Sequence, residues 1–157
     1  MEDELQKSKR LERFFRYAPL VLWVGVILFL SSGQASMSNT SRFVRPVLEF
    51  LFPNAPEETL IIYHAYIRKL AHFTEYAILA FWASRAFSNS SRNFLRRFWF
   101  VFAFILIALV ASVDETNQSF INSRTGSIYD VLLDVSGGTA MILMFYLAQI
   151  YRSRRKI

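Results

Sequence analysis

The stretch FWFVFAFILIALVASVDETNQS, residues 98–119, decides the fold. From Phe98 to Val113 it carries no charge, and then it turns polar at Asp114, Glu115 and Gln118. Phe98, Phe100, Phe102 and Phe104 alternate with the period of a strand, but the run is too long for one. A hydrocarbon core of about 30 Å takes about 20 helical residues to cross. The run therefore reads as a lipid-facing, membrane-crossing helix that ends on a pair of carboxylates.

Working outward, three further apolar runs have the same character. The four spans are placed at about 16–32, 70–87, 97–115 and 130–150. The second is interrupted by His72, Glu75 and Arg85, and the fourth by Asp134 and loosened by Ser136, Gly137 and Gly138. A cleaved signal peptide competes for the first run, given its basic leader and the small residues Gly33 and Ala35. The leader is long, however, and Leu11, Phe14, Phe15 and Tyr17 extend the run as an approach helix.

Composition agrees with lipid as the solvent. The chain of 157 residues is 54% hydrophobic and 19% charged, against about 25% charged in an ordinary soluble domain. Disorder is excluded because there is too much to bury. The absence of cysteine removes a disulfide framework, a thiolate nucleophile and a thiolate metal site.

Basic residues set the orientation. Lys7, Lys9, Arg10, Arg13 and Arg16 precede the first span, Arg85, Arg92, Arg96 and Arg97 lie between the second and third, and Arg152, Arg154, Arg155 and Lys156 follow the fourth. Only Arg42, Arg45, Arg68, Lys69 and Arg124 fall on the other side, so both termini are expected in the cytoplasm. Residues 1–15 then form a basic cytoplasmic leader, 16–150 the membrane domain and 151–157 a basic cytoplasmic tail. The net charge of +6 is explained by membrane topology and anionic lipid, and no nucleic-acid partner is expected.

Between the first two spans, Phe43, Val44, Val47, Leu48, Leu51 and Phe52 recur at helical spacing. They predict a short amphipathic helix at the interface, ended by Pro53 and Pro56. A second helical onset at Glu57 runs through His64, read as an interfacial residue, into the second span. Ser127, three residues before Asp130, has the spacing of a helix N-cap. The expected fold is all-α: an integral membrane bundle of four transmembrane helices, with the amphipathic helix between the first and second.

Eight of the twelve acids fall on the outer side or at its membrane level. Residues three or four apart share a helix face, so Lys69, His72 and Tyr76 form one stripe with Glu75 beside His72. Asp114 pairs with Gln118 if its helix continues past Glu115, and Asp130 pairs with Asp134. Ionisable groups cost about 2.5–3.5 kcal/mol each at a bilayer centre, so these clusters are expected to face inward. They predict one outward-opening polar chamber among spans two, three and four.

Two signatures also resemble a known family. Arg68-Lys69-Leu70-Ala71-His72-Phe73-Thr74-Glu75-Tyr76 is similar to the first motif of the VanZ-like bacterial membrane proteins. Asp114, Glu115, Gln118, Arg124, Asp130, Asp134 and Gly137 stand as in the second. Together they cover roughly residues 15–150. One departure is Asn122-Ser123, where the family often has Pro-Gly before the arginine. The resemblance implies a multi-pass protein of the bacterial cytoplasmic membrane, from a family named for an accessory factor in resistance to glycopeptide antibiotics such as teicoplanin. It supplies no reaction.

The candidate ligand-binding residues are Lys69, His72, Glu75, Tyr76, Asp114, Glu115, Gln118, Arg124, Asp130 and Asp134. His72, Glu75 and Asp114 are the candidates for proton transfer, because a neighbouring carboxylate raises imidazole basicity. Arg124 suits a phosphate or carboxylate through its planar fork. The bland alternatives are interhelical hydrogen bonds for His72 and Glu75, and neutralisation of Asp114 or Asp130 by Arg124. A divalent cation held by the acids and His72 has the hard oxygen ligands for it but lacks any His-Glu-x-x-His spacing, and no metal or cofactor is assigned. Two function classes stay open. One is a non-catalytic protein whose chamber binds a cell-wall precursor, a lipid-linked component or an envelope protein. The other is a membrane hydrolase or transferase on a lipid-linked envelope precursor, for which no nucleophile signature appears.

Overall fold

The computed structural model describes residues 1–31, 37–120 and 127–155. Helices account for nearly all of them, with no strand among the described residues: α1 Glu2–Phe29, α2 Met37–Leu51, α3 Glu57–Ser88, α4 Asn93–Arg97, α5 Trp99–Ser119 and α6 Ile128–Arg154. The all-α expectation is met.

Long apolar runs make the long helices, and small residues decide how they pack. α3 is the hub and touches each of the other five. Its Leu79, Ala80, Ala83 and Ala86 are completely buried, with Ala103, Ile107 and Ala111 of α5 in the same core. Small side chains let helix backbones approach closely where lipid gives no hydrophobic drive. α6 uses the same device. A methyl group added at Gly137 would run into the backbone carbonyl of Phe73, and one at Gly138 would meet the side chain of Ile107 at 2.8 Å. α1 is tied on by Trp23, whose indole N–H donates to the Glu75 carbonyl at 3.0 Å, and by Ser31, whose hydroxyl donates to the Asp114 carbonyl at 3.2 Å.

Among the described residues two helices, α5 and α6, are long and apolar enough to cross a membrane. α1 and α3 have the length, at 28 and 32 residues, but their composition is mixed. The first half of α1 is the charged leader, and α3 carries the polar residues that face its neighbours. Much of the bundle's outer surface is apolar, including Val21, Leu22, Leu109, Leu132, Leu143 and Leu147, each more than half exposed. So large an apolar surface marks contact with lipid or protein.

The amphipathic helix appears as α2, beginning earlier than its apolar pattern and carrying Pro46 within it. Leu48 is buried, while Phe43, Val47, Phe50 and Leu51 project outward. Arg45 bridges Glu49 at 2.7 Å and Glu57 at 2.6 Å, with all three side chains about half exposed. Such exposed pairs contribute about 0–1 kcal/mol, whereas burying one leucine contributes about 1.5–3 kcal/mol, so Leu48 dominates this docking. The helical onset at Glu57 continues unbroken to Ser88 as α3, as expected.

Other details differ from the sequence reading. Residues before the third span form α4, and the chain breaks at Phe98 (φ −109°, ψ 30°) before α5 begins. Phe94 folds α4 back by edge contacts with Phe98 and Phe102. His64 is only 5% exposed, with Nε2 3.1 Å from the Thr40 hydroxyl of α2, so it packs between two helices, a contact the sequence reading does not contain.

Candidate functional site

The polar site lies where the end of α5, the middle of α3 and the start of α6 converge. α5 continues past Glu115 to Ser119, which places Asp114, Glu115 and Gln118 inward, all buried. Asp114 is 2% exposed. Its Oδ2 accepts from the Tyr76 hydroxyl at 2.9 Å and its Oδ1 from the Gln118 side-chain amide at 2.9 Å. Hydrogen bonds of this kind are what allow a carboxylate to stay in a dry interior.

α6 enters through its cap. Ser127 is the N-cap, its hydroxyl accepting from the Tyr129 N–H at 3.2 Å, and its own N–H donates to the Glu115 carboxylate. The cap thereby anchors the start of α6 to the end of α5. Two turns in, Asp134 is 2% exposed, and its Oδ1 lies 3.7 Å from His72 Nδ1 of α3. Lys69 and Asp130 face each other at 3.6 Å near the surface, with side chains 58% and 40% exposed. They form the rim of the site, not its floor.

Two cavities open onto this cluster. One, of about 130 Å³, lies among α3, α5 and α6 and is lined by His72, Glu115, Gln118, Asp130 and Asp134 with Lys69 at its edge. The other, of about 210 Å³, lies toward α1 and α2 and is lined by His72, Glu75, Asp114 and Gln118 together with Ser31 and Thr40. His72 and Gln118 belong to both walls, as does Arg68. A larger groove of about 550 Å³ runs between the charged start of α1 and the end of α3, lined by Lys7, Glu12, Arg16, Arg85 and Asn89 among others. No buried polar side chain converges there.

Nine of the ten residues singled out from the sequence thus gather at one end of the bundle. The tenth, Arg124, lies outside the described residues. Two features were not anticipated. Across the helices, the imidazole of His72 meets Asp134, a contact that spacing within α3 could not reveal. Arg68 lines both cavities although it is not among the ten; its place four residues before His72, hence on the same helix face, is the available signal.

An α-helical bundle with two helices of membrane-spanning character and a buried polar cluster opening at one end is the class of protein defined by these features. The chain belongs to the family described as VanZ/LLP1, which matches residues 16–149. No curated protein and no solved structure matches it.

Proposed function

We propose that the chain is a four-span protein of the bacterial cytoplasmic membrane with both termini in the cytoplasm. Its polar chamber binds a cell-wall or lipid-linked component, or an envelope partner, at the outer face. By occupying that component it lowers access of glycopeptides of the teicoplanin type to their target. The observation that carries this reading is the convergence of His72, Asp114, Gln118 and Asp134 on two adjoining cavities, with Asp114 held from behind by the buried Tyr76 hydroxyl. A bundle held together by packing alone has no use for buried carboxylates, which cost several kcal/mol to desolvate. The basic residues on the opposite side and the apolar outer surface support the orientation and the lipid setting. Lys69 and Arg68 at the mouth suit an anionic headgroup.

The test is carried out in cells. His72→Gln, Glu75→Gln and Asp134→Asn are expected to abolish protection against a glycopeptide while the protein still accumulates in the membrane. Normal protection by all three accumulating variants removes the chamber from the function.

A second reading, a membrane hydrolase or transferase on a lipid-linked precursor, is favoured by one observation: the imidazole–carboxylate contact of His72 with Asp134. An imidazole with a carboxylate beside it is suited to general acid–base work. A lipid-linked precursor incubated with the purified protein changes mass only if this second reading is correct.

A further inference from the structure

The carboxylates of Asp114 and Asp134 come from α5 and α6, and the imidazole of His72 from α3. One ligand atom from each lies within 4.8 Å of the other two. Three side chains from three helices leave no spacing in the sequence, which explains why no metal motif is visible there. Two of the three residues are 2% exposed, deep enough for paired negative charge to be costly.

A separate observation points to an absent occupant. Among the described residues Asp134 Oδ1, fully buried, has no hydrogen-bond partner, although buried carboxylate oxygens are ordinarily satisfied. It faces His72 Nδ1 at 3.7 Å, too far for a hydrogen bond. That separation suits two ligands bridged by a cation with bonds of about 2.0–2.2 Å. Asp114 is built like a metal ligand, since Tyr76 and Gln118 donate one hydrogen bond to each of its oxygens. Such outer partners orient a ligating carboxylate and leave a lone pair on each oxygen for the ion.

We propose that His72, Asp114 and Asp134 hold a divalent first-row metal ion of the Mn²⁺ or Zn²⁺ kind. A mixed set of one nitrogen and two oxygens suits these ions better than Ca²⁺ or Mg²⁺, which take oxygen alone. The ligand atoms must draw in by less than about 1 Å to reach bonding distance, which side-chain rotation supplies. Three protein ligands leave coordination positions open toward the cavity bordered by Glu115 and Gln118, where an oxygen of a bound anionic group would reach the ion. The ion also clamps α3, α5 and α6 near the point where Gly137 brings α6 against the Phe73 backbone of α3.

The inference rests on the chamber described above but not on what enters it, because metal retention is read on the purified protein. The full chain in detergent is stripped with a chelator, reloaded with Mn²⁺ or with Zn²⁺, desalted and assayed for metal content. One ion per chain is expected. Asp134→Asn is expected to weaken affinity by at least about tenfold, while Glu49→Gln on α2 leaves it unchanged. If Asp134→Asn fails to accumulate, pulsed EPR of the Mn²⁺-loaded His64→Gln variant is the deciding measurement. A nitrogen hyperfine coupling there supports His72 as a ligand, since it is then the sole histidine. Retention of neither metal by the wild type, equal affinity in Asp134→Asn, or no nitrogen coupling overturns the proposal.

Discussion

The Tyr76 hydroxyl donates to Asp114 Oδ2 across 2.9 Å of completely buried space between α3 and α5. Tyr76 is among the largest side chains with no exposure at all, so it is both a packing element and the partner that keeps a carboxylate in the interior. Tyr76→Phe keeps the ring and removes the donor. It is expected to destabilise the protein by about 1.5–3 kcal/mol, the range for a hydrogen bond to a charged group. Thermal unfolding in detergent measures this, and an unchanged midpoint means that Asp114 has another adequate donor.

The neighbouring glycines of α6 make an ordered pair of predictions. Gly137→Ala places a methyl group against the Phe73 backbone, which cannot move without moving α3, whereas Gly138→Ala meets Ile107 side-chain atoms that can rotate. Overpacking costs about 1–3 kcal/mol. Gly137→Ala is expected at or above the top of that range and Gly138→Ala near the bottom. Membrane accumulation and unfolding temperature report the order, and the reverse order contradicts this packing of α6 on α3.

Ser84 lies completely buried in α3, and its hydroxyl has no hydrogen-bond partner. Ser84→Ala removes an unsatisfied polar group and adds no bulk. Stability is expected to be unchanged or to rise by up to about 1 kcal/mol. A clear loss of unfolding temperature shows that the hydroxyl has a partner.

His64, packed under α2 in the first turns of α3, has its pKa lowered from 6.5 by burial first and by the nearby Arg68 charge second. The folded state therefore holds the imidazole neutral in a range where the unfolded state protonates it. Stability rises with pH between the folded and unfolded values, is complete above about 6.5, and is lost as pH falls below it. Hydrogen exchange of α2 is expected to quicken on acidification, and less so in His64→Gln. Identical pH profiles for the two proteins contradict the coupling.

Much of this organisation was legible in the sequence because it follows from position along single helices. The charge-free run after Phe98 and the carboxylates that end it gave α5. The spacing of Asp114 with Gln118 gave their hydrogen bond once α5 was seen to continue past Glu115. What depends on rotation between helices was not legible. The meeting of His72 with Asp134 is one such contact, made because α6 approaches α3 closely at Gly137. α4 was missed because residues 92–97 read as a basic connection; Phe94 makes it helical by giving it an aromatic surface to pack on. The packing of His64 was not legible because its partner Thr40 belongs to a polar stretch whose inclusion in α2 the apolar pattern does not show.

The central claim is that the polar chamber opens on the outer face of the membrane, away from the basic side. The chain has no cysteine, so single-cysteine variants can be read without background. Tyr129, exposed at the start of α6, and Asn89, exposed after α3, mark the two ends. A membrane-impermeant thiol reagent applied to intact cells is expected to label Tyr129→Cys and not Asn89→Cys, with both labelled after the membrane is opened. Labelling of Asn89→Cys alone in intact cells would turn the chamber to the cytoplasm and contradict the claim.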